Sequence, residues 1–128
     1  MDVVKVRQYV NFLTPSGFAS DYSFKIMSPR LHTLLSMLEA SPDDAFVLYG
    51  IAQEHAKAGN HEVACSFYDR CIAADPSYHY AYYHKAVALH EAGQDSAARA
   101  ALEAGIAKAR AAGDLKALSE LQHFHESL

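Results

Sequence analysis

The chain has 128 residues, a net charge of −4, 51% apolar residues and 20% charged ones, a composition that excludes wholesale disorder and suits one domain with a workable core. No apolar run approaches ~18 residues, which argues against a membrane-spanning helix. The eleven Lys and Arg are dispersed rather than clustered, so the electrostatic footprint of nucleic-acid binding is missing.

The N-terminal stretch 1–27 is expected to be an extension, uncertain or partly disordered. It lacks the uninterrupted apolar core of a signal peptide, because Lys5, Arg7, Gln8 and Asn11 interrupt it. Val3, Val6, Val10 and Leu13 suit a short helix, and Val3-Val4-Lys5-Val6 equally suits a strand. Thr14-Pro15 and Gly17 break any longer helix. Met27 stands directly before a helix start and is a candidate initiator; otherwise Tyr9, Phe12, Phe18, Tyr22 or Phe24 supply cover for the leucines that follow.

Residues 28–44, "SPRLHTLLSMLEASPDD", read as a helix. Ser28 is an N-cap with Pro29 in the first turn, and Leu31, Leu34, Leu35 and Leu38 fall on one face.

Residues 45–78 and 79–112 then repeat one another at a period of 34. Tyr49/Tyr83, Ala52/Ala86, Ala58/Ala92, Gly59/Gly93, Ala64/Ala98, Ile72/Ile106 and Ala73/Ala107 are identical. Each copy has a helical stretch, a Gly-polar pair (Gly59-Asn60, Gly93-Gln94) and a second helical stretch. That predicts two helices joined by a tight turn, with glycine ending the first. Ala52, Ala64, Ala86 and Ala98 are placed where helices cross closely, since interaxial distance depends on residue size at the contact. Arg110 stands where the first copy has Pro76, so the last helix of the second copy is expected to run to about Ala112 and stop at Gly113. Residues 113–128 predict a final capping helix with Leu115, Leu118 and Leu121 on one face.

These features resemble the tetratricopeptide repeat, whose pattern runs W-x₂-L-G-x₂-Y…A-x₃-F…P. The first copy supplies Leu48-x₂-Ile51-Ala52-x₂-His55, Ala64-x₃-Tyr68 and Asp75-Pro76. The second supplies Tyr82-x₂-Lys85-Ala86-x₂-Leu89 and Ala98-x₃-Leu102. Lys85 departs from the pattern; its stem can lie on the core while the ammonium reaches water. The tail also resembles small bacterial members with two repeats and a C-terminal cap. The resemblance implies an all-α fold, a right-handed solenoid of antiparallel helix pairs. It makes 28–128 one domain: a half repeat (28–44), two repeats (45–78, 79–112) and a cap (113–128).

The resemblance also implies that the first helix of each pair lines a groove receiving a peptide or a partner's helix. By helical spacing, Phe46, Tyr49, Gln53 and Lys57 share a face of one first helix. Tyr80, Tyr83, Val87 and Glu91 share the equivalent face of the other, with His90 beside them. Tyrosine offers broad contact area with few rotors to freeze. The competing reading is that these aromatics pack on a neighbouring helix or the N-terminal segment. A carboxylate clamp of Lys and Asn side chains, known in some members, fits poorly, because Lys57 is the only basic residue in clamp-like positions.

No metal, cofactor or catalytic site is expected. His79, His84 and His90 are five and six apart and splay around a helix, and His123 and His125 point to different faces. His55 occupies a position usually held by tyrosine and suits a core or interface role. Cys65 and Cys71 lie about 600° apart on one helix, a poor disulfide geometry, and read as free thiols of a cytoplasmic protein. No oxyanion-hole signature accompanies either cysteine. The expected function is therefore non-catalytic capture of a protein partner of unknown identity. The alternative is a homodimer sealed through Leu31, Leu34 and Leu38 at an uncovered edge.

Overall fold

The computed structural model describes residues 28–128, and the readings made for residues 1–27 lie outside them. Six helices follow one another among the described residues: α1 (Pro29–Ala40), α2 (Ala45–Lys57), α3 (His61–Ala74), α4 (His79–Glu91), α5 (Asp95–Ala112) and α6 (Leu115–Ser127). The chain divides into two units between Pro42 and Asp43.

In the first unit, α1 starts as its sequence predicts. Ser28 Oγ accepts from Leu31 N–H at 3.1 Å, and Pro29 occupies the first turn. Leu31, Leu34 and Leu35 are buried and Leu38 is half-buried.

The second unit is an up-and-down succession. α2 packs on α3, α3 on α4, α4 on α5 and α5 on α6, while the first helices α2, α4 and α6 meet more lightly. Both helix pairs turn identically. Gly59 and Gly93 take φ values of 82° and 79°. Gly59 N–H donates to Ala56 C=O and Asn60 N–H to His55 C=O; Gly93 N–H and Gln94 N–H repeat this with His90 and Leu89. Each turn satisfies two helix-end carbonyls through a left-handed residue that glycine adopts without steric cost. The four crossing alanines, Ala52, Ala64, Ala86 and Ala98, are fully buried, and so are Tyr68 and Leu102 at the recurrent large-residue position. His55 is buried with its ring stacked on Phe67, 5.9 Å between centroids, and burial holds its imidazole below the ordinary value. Lys85 reaches Asp69 at 2.7 Å. Both cysteines are free, and burial pushes the Cys71 thiol up to about 12, so it packs rather than reacts.

α5 runs to Ala112 and stops at Gly113 (φ 71°), as the missing proline implies. α6 begins on Asp114, whose Oδ1 accepts from Ala117 N–H at 3.1 Å while Oδ2 accepts from the buried His79 Nδ1 at 3.0 Å. The buried face of α6 differs from the one expected. Ala117 and Leu121 are buried and Phe124 half-buried, but Leu115 is 75% exposed. At about 100° per residue, Ala117, Leu121 and Phe124 span about 60°, whereas Leu115 lies about 160° from Ala117.

Asp114 thus performs two tasks, capping α6 and tying it to α4. Asp114→Ala is expected to lower the melting temperature by roughly 4–8 °C, the shift that loss of a helix cap gives a domain of this size. Asp114→Asn, which keeps a capping oxygen, should lose less. Thermal melts by circular dichroism compare the two, and equal losses would show that the His79 contact, not the cap, dominates.

Candidate partner-binding groove

Between the first helices of the two repeats lies a recess of about 200 Å³. Gln53, Ala56 and Lys57 of α2 form one wall, and His84, Val87, Ala88 and Glu91 of α4 form the other. Tyr68 of α3 closes it between them. The spacings of three, four and seven residues place each set on one face of its helix.

A hydrogen-bond chain fixes the inner end. Tyr68 Oη donates to Gln53 Oε1 at 3.3 Å, and Gln53 Nε2 donates to Tyr49 Oη at 2.6 Å. Both ends of the Gln53 amide are thereby used, so its orientation is set by its neighbours. Burial raises the Tyr49 and Tyr68 phenols further above the range where they ionise. Both remain neutral hydrogen-bonding groups.

Rings continue sideways from this point. Tyr49 contacts Tyr78 at 5.0 Å, His84 at 5.7 Å and Tyr68 at 5.9 Å between centroids. His84 contacts Tyr83 at 5.2 Å, Tyr83 contacts Phe124 at 5.3 Å, and Phe124 reaches His90 at 6.2 Å. A run of edge-on and tilted rings therefore crosses from α2 through α4 to α6, arrangements that suit the aromatic quadrupole. Burial holds His84 below its ordinary value, so it presents a neutral imidazole at neutral pH. At the rim, Lys57 Nζ lies 2.9 Å from Glu54 and Glu91 lies 3.8 Å from His61 Nδ1.

The nine residues expected from the sequence do not all meet. Gln53, Lys57, Val87 and Glu91 line the recess, and Tyr49 adjoins it through Gln53. Tyr83 is half-buried between His84 and Phe124. His90 is exposed, its Nδ1 2.7 Å from Asp95. Phe46 and Tyr80, 63% and 37% exposed, stand at the starts of α2 and α4 and do not line the recess. Tyr68, Ala56, Ala88 and His84 were not anticipated there. His84 and Ala88 share with Val87 and Glu91 a face of α4 rotated by about 45° from the one through Tyr80 and Tyr83, and spacing along α4 does not say which of the two turns toward α2. Among the described residues no group of three or more His, Cys, Asp and Glu is placed to hold a metal ion, and no helix is long and apolar enough to cross a membrane.

Two family models described as tetratricopeptide repeat match the chain, one over residues 47–78 and one over 67–100. The first follows the frame of the first repeat; the second begins on α3 and so straddles both. A TPR repeat-containing protein of Pseudomonas aeruginosa is 33% identical over 95 residues, 74% of this chain and 90% of its own length. The crystal structure of a tetratricopeptide repeat domain protein from Salinibacter ruber has 33% identity and a TM-score of 0.59, covering 66% of this chain and 93% of that one. A solution structure from Bordetella parapertussis has 26% identity and a TM-score of 0.68, covering 79% and 88%. Such repeats generally mediate protein–protein interaction and are typically non-catalytic. The paired helices, their glycine turns, their buried alanines and these matches place this chain in the tetratricopeptide repeat family.

Proposed function

We propose that this chain is a non-catalytic interaction module that seats one apolar or aromatic side chain of a partner protein in the recess between α2 and α4. The observation that carries this reading is the recess itself. At about 200 Å³ it falls below the ~300–1,000 Å³ of small-molecule sites, and its size suits a side chain. Ala56, Val87 and Ala88 supply apolar contact, and Tyr49, Gln53 and His84 supply fixed polar edges. Lys57 and Glu91 present opposite charges at the rim, which favours a polar but uncharged backbone alongside the inserted group. Tyr83 and His90 extend the surface toward α6. The reading involves no metal or cofactor, and the free thiols fit a cytoplasmic setting.

Val87→Arg tests it. The longer side chain fills the recess while its head reaches water, so the fold should be spared. In capture from extracts of the source organism, proteins retained by the wild type and identified by mass spectrometry should be lost by this variant. Titration of one purified partner should show at least about tenfold weaker binding, the loss expected when an anchoring side chain is denied its pocket. Unchanged binding by a folded Val87→Arg chain would move the interaction off the recess.

A further inference from the structure

Phe46 and Tyr80 stand outside the recess, yet their position is not arbitrary. Each is the second residue of its helix, and they are separated by one period of 34. Leu115, the first residue of α6, occupies the corresponding end of the third helix in the row. Among the described residues the exposed large hydrophobics are Phe46, Tyr80, Leu115 and Met37. Three of the four therefore stand in the first turn of α2, α4 and α6, Phe46 and Tyr80 at the second residue and Leu115 at the first. Single exposed apolar residues are ordinary on a protein surface, but a row repeated on neighbouring elements marks an interaction surface.

The chain segments that lead into these three helices carry mostly negative charge, with Arg70 of α3 lining a recess beside Asp43. The segments entering the three helices, with their first turns (41–48, 75–82 and 113–118), hold Asp43, Asp44, Asp75 and Asp114 against a single lysine, Lys116. Three of the four carboxylates are fixed by hydrogen bonds. Asp44 accepts from Val47 N–H at 3.2 Å, Asp75 accepts from Ser77 N–H at 3.0 Å, and Asp114 caps α6 and receives His79. Hydrogen bonds from Ser77 and His79 hold the Asp75 and Asp114 carboxyls below their ordinary range. They stay ionised at any physiological pH.

We propose that Phe46, Tyr80 and Leu115 form a docking strip, separate from the recess, for a cationic amphipathic segment of a partner protein. Apolar side chains of that segment lie on the strip, and its Lys or Arg residues face the aspartates that flank it. Complementary charge of this kind sets register and suppresses wrong partners. An anionic lipid surface is the opposite of what the rim would attract.

The test uses two labelled synthetic peptides of equal length and identical leucine pattern, one with lysines and one with glutamates at the polar positions. Binding to the full chain is read by fluorescence anisotropy at low and moderate salt. The lysine peptide is expected to bind at least about tenfold tighter than the glutamate peptide, and to weaken as salt rises. Combining Phe46→Ser, Tyr80→Ser and Leu115→Ser should weaken it by at least about tenfold, with Val87→Arg changing it less than about twofold. If the triple variant fails to fold, Phe46→Ser and Leu115→Ser taken singly should each weaken it about threefold. The proposal is overturned by equal binding of the two peptides, by no binding of the lysine peptide, or by wild-type binding in the folded variants. Loss in Val87→Arg instead would assign the peptide to the recess. A wild-type dimer that the triple variant makes monomeric by light scattering would assign the strip to a second copy of the chain.

Discussion

Tyr68→Ala is expected to destabilise the protein by about 3–5 kcal/mol, the usual cost of deleting a buried aromatic ring. Tyr68 is 1% exposed, closes the recess from α3, and carries the hydroxyl that donates to Gln53. Its removal leaves a cavity beside Tyr49 and takes away a hydrogen bond that orients the Gln53 amide. Typical domains are stable by only about 5–15 kcal/mol, so a loss of this size brings the chain near unfolding. Tyr68→Phe isolates the hydroxyl and should cost about 0.5–1.5 kcal/mol. Urea denaturation followed by circular dichroism measures both. A Tyr68→Ala midpoint close to wild type would mean that the ring is not part of the core, and the register of the first repeat would be wrong with it.

Gly105→Ala is expected to destabilise by about 1–3 kcal/mol, the cost of forcing an extra carbon into a packed contact. In an exposed helix interior the same change would stabilise by about 0.8–1 kcal/mol, because alanine is the better helix former. The sign therefore reports the packing. A Cβ built on Gly105 would lie 2.7 Å from Tyr82 Cβ and 3.2 Å from Leu121 Cδ2. Tyr82 Cβ is held by its own backbone, so α5 would have to move away from α4 and disturb Leu121 of α6 at the same time. Ala104→Gly, one residue away at an exposed position, serves as the control and should cost about 1 kcal/mol through helix propensity alone. A gain in stability from Gly105→Ala would show that α4 and α5 do not approach this closely.

Both predictions bear on how the groove is held. Tyr68 supports the recess from behind, and the α4–α5–α6 contact at Gly105 sets where α4 and its ring run through Tyr83 and Phe124 stand. Recess variants and core variants should therefore separate cleanly in a denaturation experiment. Val87→Arg leaves the midpoint near wild type, whereas Tyr68→Ala and Gly105→Ala move it.

What the sequence determined by itself was local or periodic. Gly59 and Gly93 announce their turns because a left-handed residue ending a helix is a property of a few consecutive residues. Ser28, Gly113 and the absent proline at Arg110 likewise mark ends that the chain reads locally. The 34-residue period carried the helix pairs, and the alanines recurring with it carried the crossings, since only small residues recur where backbones must approach. What tertiary structure alone decided was which face each helix turns to which neighbour. Gly105 looks like a weak helix former until Tyr82 is found against it. Leu115 patterns with Leu118 and Leu121, yet it is excluded because the packing of α6 on α5 selects the arc through Ala117, Leu121 and Phe124. The groove shows the same division: Gln53, Lys57, Val87 and Glu91 followed from spacing on single helices. His84 and Tyr68 did not, because the recess lies between helices, and the rotation of α4 toward α2 is set by contacts through α3 that no spacing within one helix encodes.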